Sequence, residues 1–275
     1  MLAPSFDWNG ELHMAKAYEQ IADKLREAIR AGQLAPGDRL PAETDLVQQH
    51  RRSLPTVREA LRLLQDEGLI EKQHGRGNFV RRPRTPVLRT NLRHQWEKDR
   101  ACEPEQLRQQ TGATEHDTGL QVNELVFQAH YGDAKADKSL ADDFGVPEGS
   151  ALVERTYRTR YAVETAPFAL VSSYLVRDMV AENPDLLDET KEPWPGGTQN
   201  QLRTIGIELD RIEERVNARP PTPEEAEELE LPPGTSVILL RKISYDTQDR
   251  AVEISDVTLP GDRTEMLFTT PLERW

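Results

Sequence analysis

Ser53 to Arg82 constrain this chain more than any other stretch. Serine at 53 suits a helix N-cap, where its oxygen accepts a first-turn N–H. Pro55 then falls in the first turn, where the missing N–H costs little. Val57, Ala60, Leu61 and Leu64 recur at helical spacing as a buried stripe, and Thr56, Arg58, Glu59 and Arg62 lie off it. Gly68 stops this helix. Leu69 to Gln73 and Asn78 to Arg81 then read as two short strands around His74-Gly75-Arg76-Gly77. A short amphipathic helix followed by a hairpin with a cationic tip is a shape that grips a nucleic-acid groove, and it contains no catalytic apparatus.

Two further helices precede it. The first is expected from about Lys16 to Ala31, with Tyr18, Ile21, Leu25 and Ala28/Ile29 on its apolar face and Gly32 as its stop. Leu34 to Pro41 is rich in turn residues, and Pro36-Gly37 is a strong breaker. A second, short helix is expected from Ala42 to His50, burying Leu46 and Val47. Residues 1–15 show no periodicity and are expected to be a disordered lead.

The net charge of −13 suits a DNA binder poorly until it is divided. Residues 16–85 hold 14 Lys/Arg against 10 Asp/Glu, a net of +4, which leaves −17 for the remainder. The amino-terminal part can approach phosphates, and the acidic part should be repelled by them. No apolar run approaches the ~20 residues a bilayer crossing needs, and no secretory signal pattern is present. The single cysteine, Cys102, excludes an intrachain disulfide and cannot by itself build a thiolate metal site. These features fit a cytoplasmic protein without cofactor, metal or membrane partner.

Pro83 and Pro86 mark a linker, expected over residues 84–118, where the sequence is polar. Beyond it the pattern changes. Leu152 to Tyr161, Phe168 to Leu175, Val237 to Tyr245 and Val252 to Leu259 read as strands rich in β-branched and aromatic residues. Thr222-Pro223-Glu224-Glu225 opens a helix, with a capping threonine, proline at the first position and acids in the first turn. Val146-Pro147-Glu148-Gly149-Ser150 and Leu231-Pro232-Pro233-Gly234-Thr235 each stand between a helix and a strand. They suggest two pseudo-equivalent halves within one α/β domain, or else two unrelated turns.

Together these residues resemble the GntR family of bacterial transcription regulators. The resemblance rests on Tyr18-x-x-Ile21-Ala22, Gly32-x-Leu34-x-Pro36-Gly37-x-x-Leu40-Pro41-x-Glu43, Thr56-Val57-Arg58-Glu59-Ala60-Leu61, Glu67-Gly68-Leu69-Ile70 and Gly75-Arg76-Gly77-x-Phe79-Val80. It implies an α+β protein with a winged helix-turn-helix over residues 16–83. Two helix, Pro-x-Gly and strand units ending in Gly261-Asp262-Arg263 resemble the UTRA effector domain of the HutC subfamily. This implies a chorismate-lyase-like α/β domain with a mainly antiparallel sheet over residues 119–275. Such proteins are homodimers, joined through the carboxy-terminal domain, that bind inverted-repeat operators in double-stranded DNA. They usually repress, and a small effector releases them.

The resemblance also implies roles. The third helix enters the major groove, where Arg58 can pair with guanine O6 and N7. Ser53 and Thr56 face backbone phosphate at the positive helix end. Arg76, between Gly75 and Gly77, reaches a narrow minor groove, with His74 beside it. Lys16 and Tyr18 anchor the backbone at the first helix. Arg62 reads instead as a solvated surface charge, and Arg81 and Arg82 as sources of non-specific attraction. The chain departs from the family pattern at Thr44, Arg51, Arg52, Leu54 and Pro55. These changes imply a shifted operator, with phosphate clamping by Arg51 and Arg52 and contact from Leu54 to a thymine methyl.

In the effector domain, Arg158-x-Arg160 and Glu253 match polar pocket positions of the family, while Val171 and Leu259 stand where it has polar residues. A pocket poorer in hydrogen-bonding groups implies a less polar ligand, or none. Arg158 and Arg160 can alternatively be read as a surface ion-pair strand. Two rival functions stay open at this level: a repressor without ligand, of the plasmid transfer or copy-control type, and an enzyme on the chorismate-lyase-like fold.

Overall fold

A computed structural model describes residues 16–273, so the expected lead at residues 1–15 lies outside the described residues. The described chain forms two compact units, one from residues 16–84 and 232–235 and the other from residues 85–231 and 236–273.

In the first unit, helices α1 (Ala17–Arg30), α2 (Glu43–His50) and α3 (Leu54–Asp66) precede strands β1 (Ile70–Gln73) and β2 (Gly77–Val80). Leu25, Leu46, Val57, Ala60, Leu64, Ile70 and their neighbours make one core. Their 3.6-residue spacing puts the apolar stripe of each helix inward. Strands β1 and β2 pair antiparallel with Gln73 opposite Gly77. A bridge between Arg39 and Phe79 adds a third extended segment to this wing. The Leu34–Pro41 connection therefore contributes to the wing as well as turning the chain.

The second unit holds a six-stranded antiparallel sheet. Its strands are β4 (Leu125–Lys135), β5 (Ala151–Tyr161), β6 (Leu170–Val176), β7 (Leu209–Arg219), β8 (Val237–Asp246) and β9 (Ala251–Pro260), in the order β4-β5-β6-β9-β8-β7. Helix α7 (Lys138–Phe144) lies between β4 and β5, and helix α10 (Pro223–Glu228) between β7 and β8. The two halves are thus the same strand–helix–strand–strand unit, joined where β6 pairs with β9. The two Pro-x-Gly segments follow α7 and α10, at equivalent places in the repeat.

The polar stretch expected as a linker is folded into this unit. It forms β3 (Val87–Thr90), α4 (Arg93–Ala101), α5 (Glu105–Arg108) and α6 (Ala113–Thr118). β3 pairs in parallel with β10 (Thr264–Leu267). Helix α4 has no wide apolar stripe. It is held by buried charge: Arg93 bonds Asp117 and Glu97, and His94 lies 3.1 Å from Glu214 of β7. Two short helices complete the unit, α8 (Arg177–Val180) and α9 (Gly197–Arg203).

One sheet face packs Leu152, Ile243 and Ile254 against α7. The other face carries a polar rung across all six strands, Tyr131–Arg155–Ser173–Ser255–Lys242–Glu214, each residue directly opposite the next. Directly opposed residues in an antiparallel pair share a face, so these six side chains form one polar line. The next rung on the same face is Tyr157–Val171–Val257–Leu240–Val216, which is apolar beyond its tyrosine.

Candidate nucleic-acid interface and effector cavity

At the start of α3, Ser53 Oγ accepts the Thr56 N–H and shares a 2.8 Å hydrogen bond with the Thr56 hydroxyl. Both residues first build the helix terminus, and the two hydroxyls sit together at its positive end. Arg58 follows two residues beyond the half-buried Thr56 and is 62% exposed. Its Nε–H donates to Glu43 Oε2 at 2.8 Å, which leaves both Nη groups without a partner among the described residues. Arg51 is the C-cap of α2 in the left-handed conformation, φ 51° and ψ 47°. It and Arg52 are exposed, Leu54 is half-buried, and Thr44 is exposed on the first turn of α2.

The wing turn is closed by the Arg76 N–H donating to the Gln73 carbonyl. Gly75 has φ +72° and Gly77 φ +116°, values that side-chain-bearing residues rarely adopt. Arg76 is exposed, with its guanidinium 5.6 Å from the Phe79 ring centre, and His74 beside it is exposed. Arg39, which the sequence reading passed over, lays its guanidinium across Gly77, where a Cβ would come within 3.1 Å of Nε. Its place inside the Gly32–Glu43 motif was the available signal. Lys16 is exposed at the entry of α1, and Tyr18 is half-buried against the core. Arg62 is tied to Glu59 and Asp66, as a surface charge would be.

The three proposed effector residues do not come together. Arg158 bonds Glu228 of α10 and the carbonyls of Tyr157 and Val171, and Arg160 bonds the carbonyls of Tyr161, Ala162 and Glu164 in the β5–β6 hairpin. Strand alternation puts both on the face opposite Arg155. Glu253 lies instead in the network of the polar rung, 2% exposed. It accepts Ser173 at 3.0 Å and Ser244 at 3.1 Å and pairs with Lys242 at 2.9 Å. Burial alone would raise its pKa, but Lys242 and Arg155 outweigh it and hold the carboxyl at about 2. Val171 and Leu259 pack with Leu240 and Val257 in a core cluster.

The residue that sequence reasoning missed is Arg155, which is 0% exposed. It donates to Gln201 at 2.6 Å, Ser173 at 2.8 Å and Thr198 at 3.3 Å. Beside it opens a cavity of about 450 Å³ walled by Phe127, Tyr157, Thr159, Glu192, Trp194 and Thr198, among others. That size suits a small organic ligand. Glu192 Oε1 accepts both Tyr131 and Tyr157 hydroxyls. Burial raises both tyrosine pKa values, so the hydroxyls stay protonated as donors. Among the described residues no group of His, Cys, Asp and Glu could hold a metal ion, and no helix is long and apolar enough to cross a membrane.

Residues 17–80 match the profile of bacterial regulatory proteins of the gntR family, and residues 129–265 match that of the UTRA domain. The chain belongs to the gntR family. It is a DNA-binding regulator of transcription rather than an enzyme, with a GntR winged head and a UTRA domain. Regulators of this kind bind operator DNA through the head and small-molecule effectors through the UTRA domain. An HTH-type transcriptional regulator of Streptomyces coelicolor is 29% identical over 252 residues, covering 90% of each chain. The HTH-type transcriptional repressor NagR of Bacillus subtilis is 26% identical over 247 residues, covering 90% of this GntR regulator and 91% of NagR. PhnF from Mycobacterium smegmatis has the same fold, with a TM-score of 0.50 at 22% identity over 92% of this chain and 100% of that one.

Proposed function

We propose that this GntR regulator is a homodimeric repressor of an inverted-repeat operator, released by a small effector bound beside Arg155. The observation that carries the DNA half is Arg58, exposed at the start of α3 with Glu43 on its Nε. Both Nη groups can then present two parallel donors to a guanine edge. Ser53 and Thr56 serve phosphate at the helix end. Arg51, Arg52, Thr44 and Leu54 supply contacts specific to this chain. Lys16 and Tyr18 anchor the backbone at α1. Gly75, Arg76 and Gly77 form the minor-groove wing, with His74 and Arg39 on adjacent phosphates. Residues 16–84 bind DNA, and the UTRA unit binds the effector and the second subunit.

Two features favour the repressor and dimer parts. Repression is the activity of NagR, a transcriptional repressor similar to this chain along most of its length. The dimer is favoured by β7, an edge of the sheet. Paired antiparallel with a second copy about Glu214, it would set Glu213 against Arg215 and Ile212 against Val216, each twice. The other edge, β4, differs in that its Tyr131 N–H is already capped by Glu189 at 2.8 Å.

Footprinting on the protein's own promoter tests the reading. Protection of two symmetric half-sites, steeply weakened by salt, is the expected result. An asymmetric single site would exclude the homodimer, and unchanged protection across an effector library would exclude release by a ligand.

A further inference from the structure

The cations around the cavity commit their Nη donors to the protein, and only Nε of Arg155 and of Arg100 is buried without a hydrogen-bond partner among the described residues. Arg155 spends its Nη groups on Gln201, Ser173, Thr198 and, at 3.5 Å, Glu253. Its guanidinium lies 5.9 Å and 5.8 Å from the ring centres of Tyr131 and Tyr157. Arg100 donates to the carbonyls of Arg108 and Thr111 and sits 5.1 Å from the Trp96 ring. Arg108 donates to the carbonyls of Pro195 at 2.9 Å and Glu103 at 2.6 Å. These carbonyls belong to the segments that wall the cavity, so turning either rim arginine toward an incoming anion would loosen the wall.

The acidic side is equally settled. Lys242 balances Glu253 in the polar rung. Glu192 lines the cavity and takes four donors: the Tyr131 and Tyr157 hydroxyls, the Gln201 amide and the Trp194 N–H. A phosphate or carboxylate would enter beside Glu192, with Glu97 and Glu115 also in the lining, and the rim arginines Arg100 and Arg108 would have to turn from wall carbonyls to meet it in full. Burying an unpaired charge is strongly unfavourable.

What the cavity does offer is flat apolar surface. Phe127 and Tyr157 stand 5.9 Å apart between ring centres, and Trp194 is fixed by its indole N–H to Asn200 at 2.9 Å. Leu125 and Val122 extend this wall, while the hydroxyls of Thr159 and Thr198 supply a polar edge.

We infer that the cavity takes an uncharged ligand with a flat, aromatic body, not a sugar phosphate or other anion. The inference rests on the effector reading above and narrows it to a chemical class. The body lies against Phe127, Tyr157 and Trp194, where ring stacking adds to the burial of apolar surface. Its polar edge meets the two threonines.

Calorimetric titration of the full-length protein with a charge-matched set tests this. Tryptophol, indole-3-acetate and tryptamine share one ring system and differ in charge, and glucosamine 6-phosphate represents the sugar phosphates. Tryptophol should bind at least ~10-fold more tightly than indole-3-acetate, and glucosamine 6-phosphate should not bind. Phe127→Leu, a mild change that keeps the wall apolar, should weaken tryptophol several-fold. The proposal is overturned if indole-3-acetate, tryptamine or glucosamine 6-phosphate binds tightest, if none of the four binds, or if Phe127→Leu leaves tryptophol binding unchanged. Thr159→Trp reports on the effector reading separately, because it fills the cavity without a ligand. Unchanged operator affinity in that variant would defeat effector control itself, whatever the ligand class.

Discussion

Arg58 donates its Nε–H to Glu43 at 2.8 Å although its side chain is 62% exposed. Exposed pairs of this kind contribute ~0–1 kcal/mol to stability, so the pair matters for aim more than for folding. The same contact takes one of the three guanidinium nitrogens and leaves the outer two for a ligand.

Replacing Arg58 by alanine is therefore expected to separate two properties. Binding to the operator should weaken by ~1–3 kcal/mol, the scale of a bidentate base contact. Binding to random duplex and the unfolding free energy should both change by less than ~1 kcal/mol. Fluorescence anisotropy on specific and scrambled duplexes, with denaturant titration alongside, checks this. A uniform loss on both duplexes would make Arg58 a phosphate contact.

Arg51 holds φ +51° at the turn between α2 and α3. A side chain in this region costs roughly 1–2 kcal/mol, and glycine escapes most of that cost. Arg51→Gly is expected to stabilise the head by up to ~1 kcal/mol after glycine's larger unfolded-state entropy is allowed for. It should weaken DNA binding at the same time, with the salt-dependence slope falling by ~0.9 for one lost phosphate contact. A stabilised variant with an unchanged slope would show that Arg51 does not touch phosphate.

How much of this was legible in the sequence depended on how local the cause was. The head was readable because its caps, breakers and apolar stripes lie within a few residues of the elements they define. Strands β5, β6, β8 and β9 were readable because interior positions are dense in Val, Ile and Leu. The edge strands β4 and β7 were not. β7 reads Leu-Asp-Arg-Ile-Glu-Glu-Arg-Val-Asn-Ala-Arg, and an edge needs fewer apolar side chains than a centre. Helix α4 was taken for linker because ion pairs of Arg93 and His94, rather than an apolar stripe, fix it. Arg158 and Arg155 are three positions apart on β5. An odd displacement along a strand reverses the face, and nothing local in the sequence says which face of this strand meets the cavity.

Glu253 lends itself to an acid test. Its carboxyl is held at about 2 in the folded chain, against ~4.3 for an unperturbed glutamate. A depressed folded pKa gives stability that is fully present above the unfolded value and lost as pH falls through the folded one. The wild-type chain should therefore lose this contribution between about pH 4.5 and 2. Glu253→Gln should be less stable at neutral pH by several kcal/mol, since it leaves the buried Arg155 and the half-buried Lys242 without their carboxylate. The gap between the two proteins should close on acidification. Denaturant titrations at pH 7 and pH 4 check the direction, and a gap that widens at pH 4 would contradict it.

The β7 edge gives the last prediction. With β7 against its copy, Glu213 faces Arg215 at both ends of a short antiparallel ladder, and like charges at such opposed positions are unfavourable. Arg215→Glu would place two carboxylates opposite each other twice, and the dimer should dissociate to monomer at micromolar protein. Adding Glu213→Arg restores opposite charges in reversed order and should restore the dimer. Within one chain Arg215 meets Asp143 and Glu213 meets Arg211, so loss of folding must be told apart from loss of pairing. Sedimentation velocity with circular dichroism makes that distinction. A folded single variant that stays dimeric would place the subunit contact elsewhere, and recovery in the double variant alone would fix the register about Glu214.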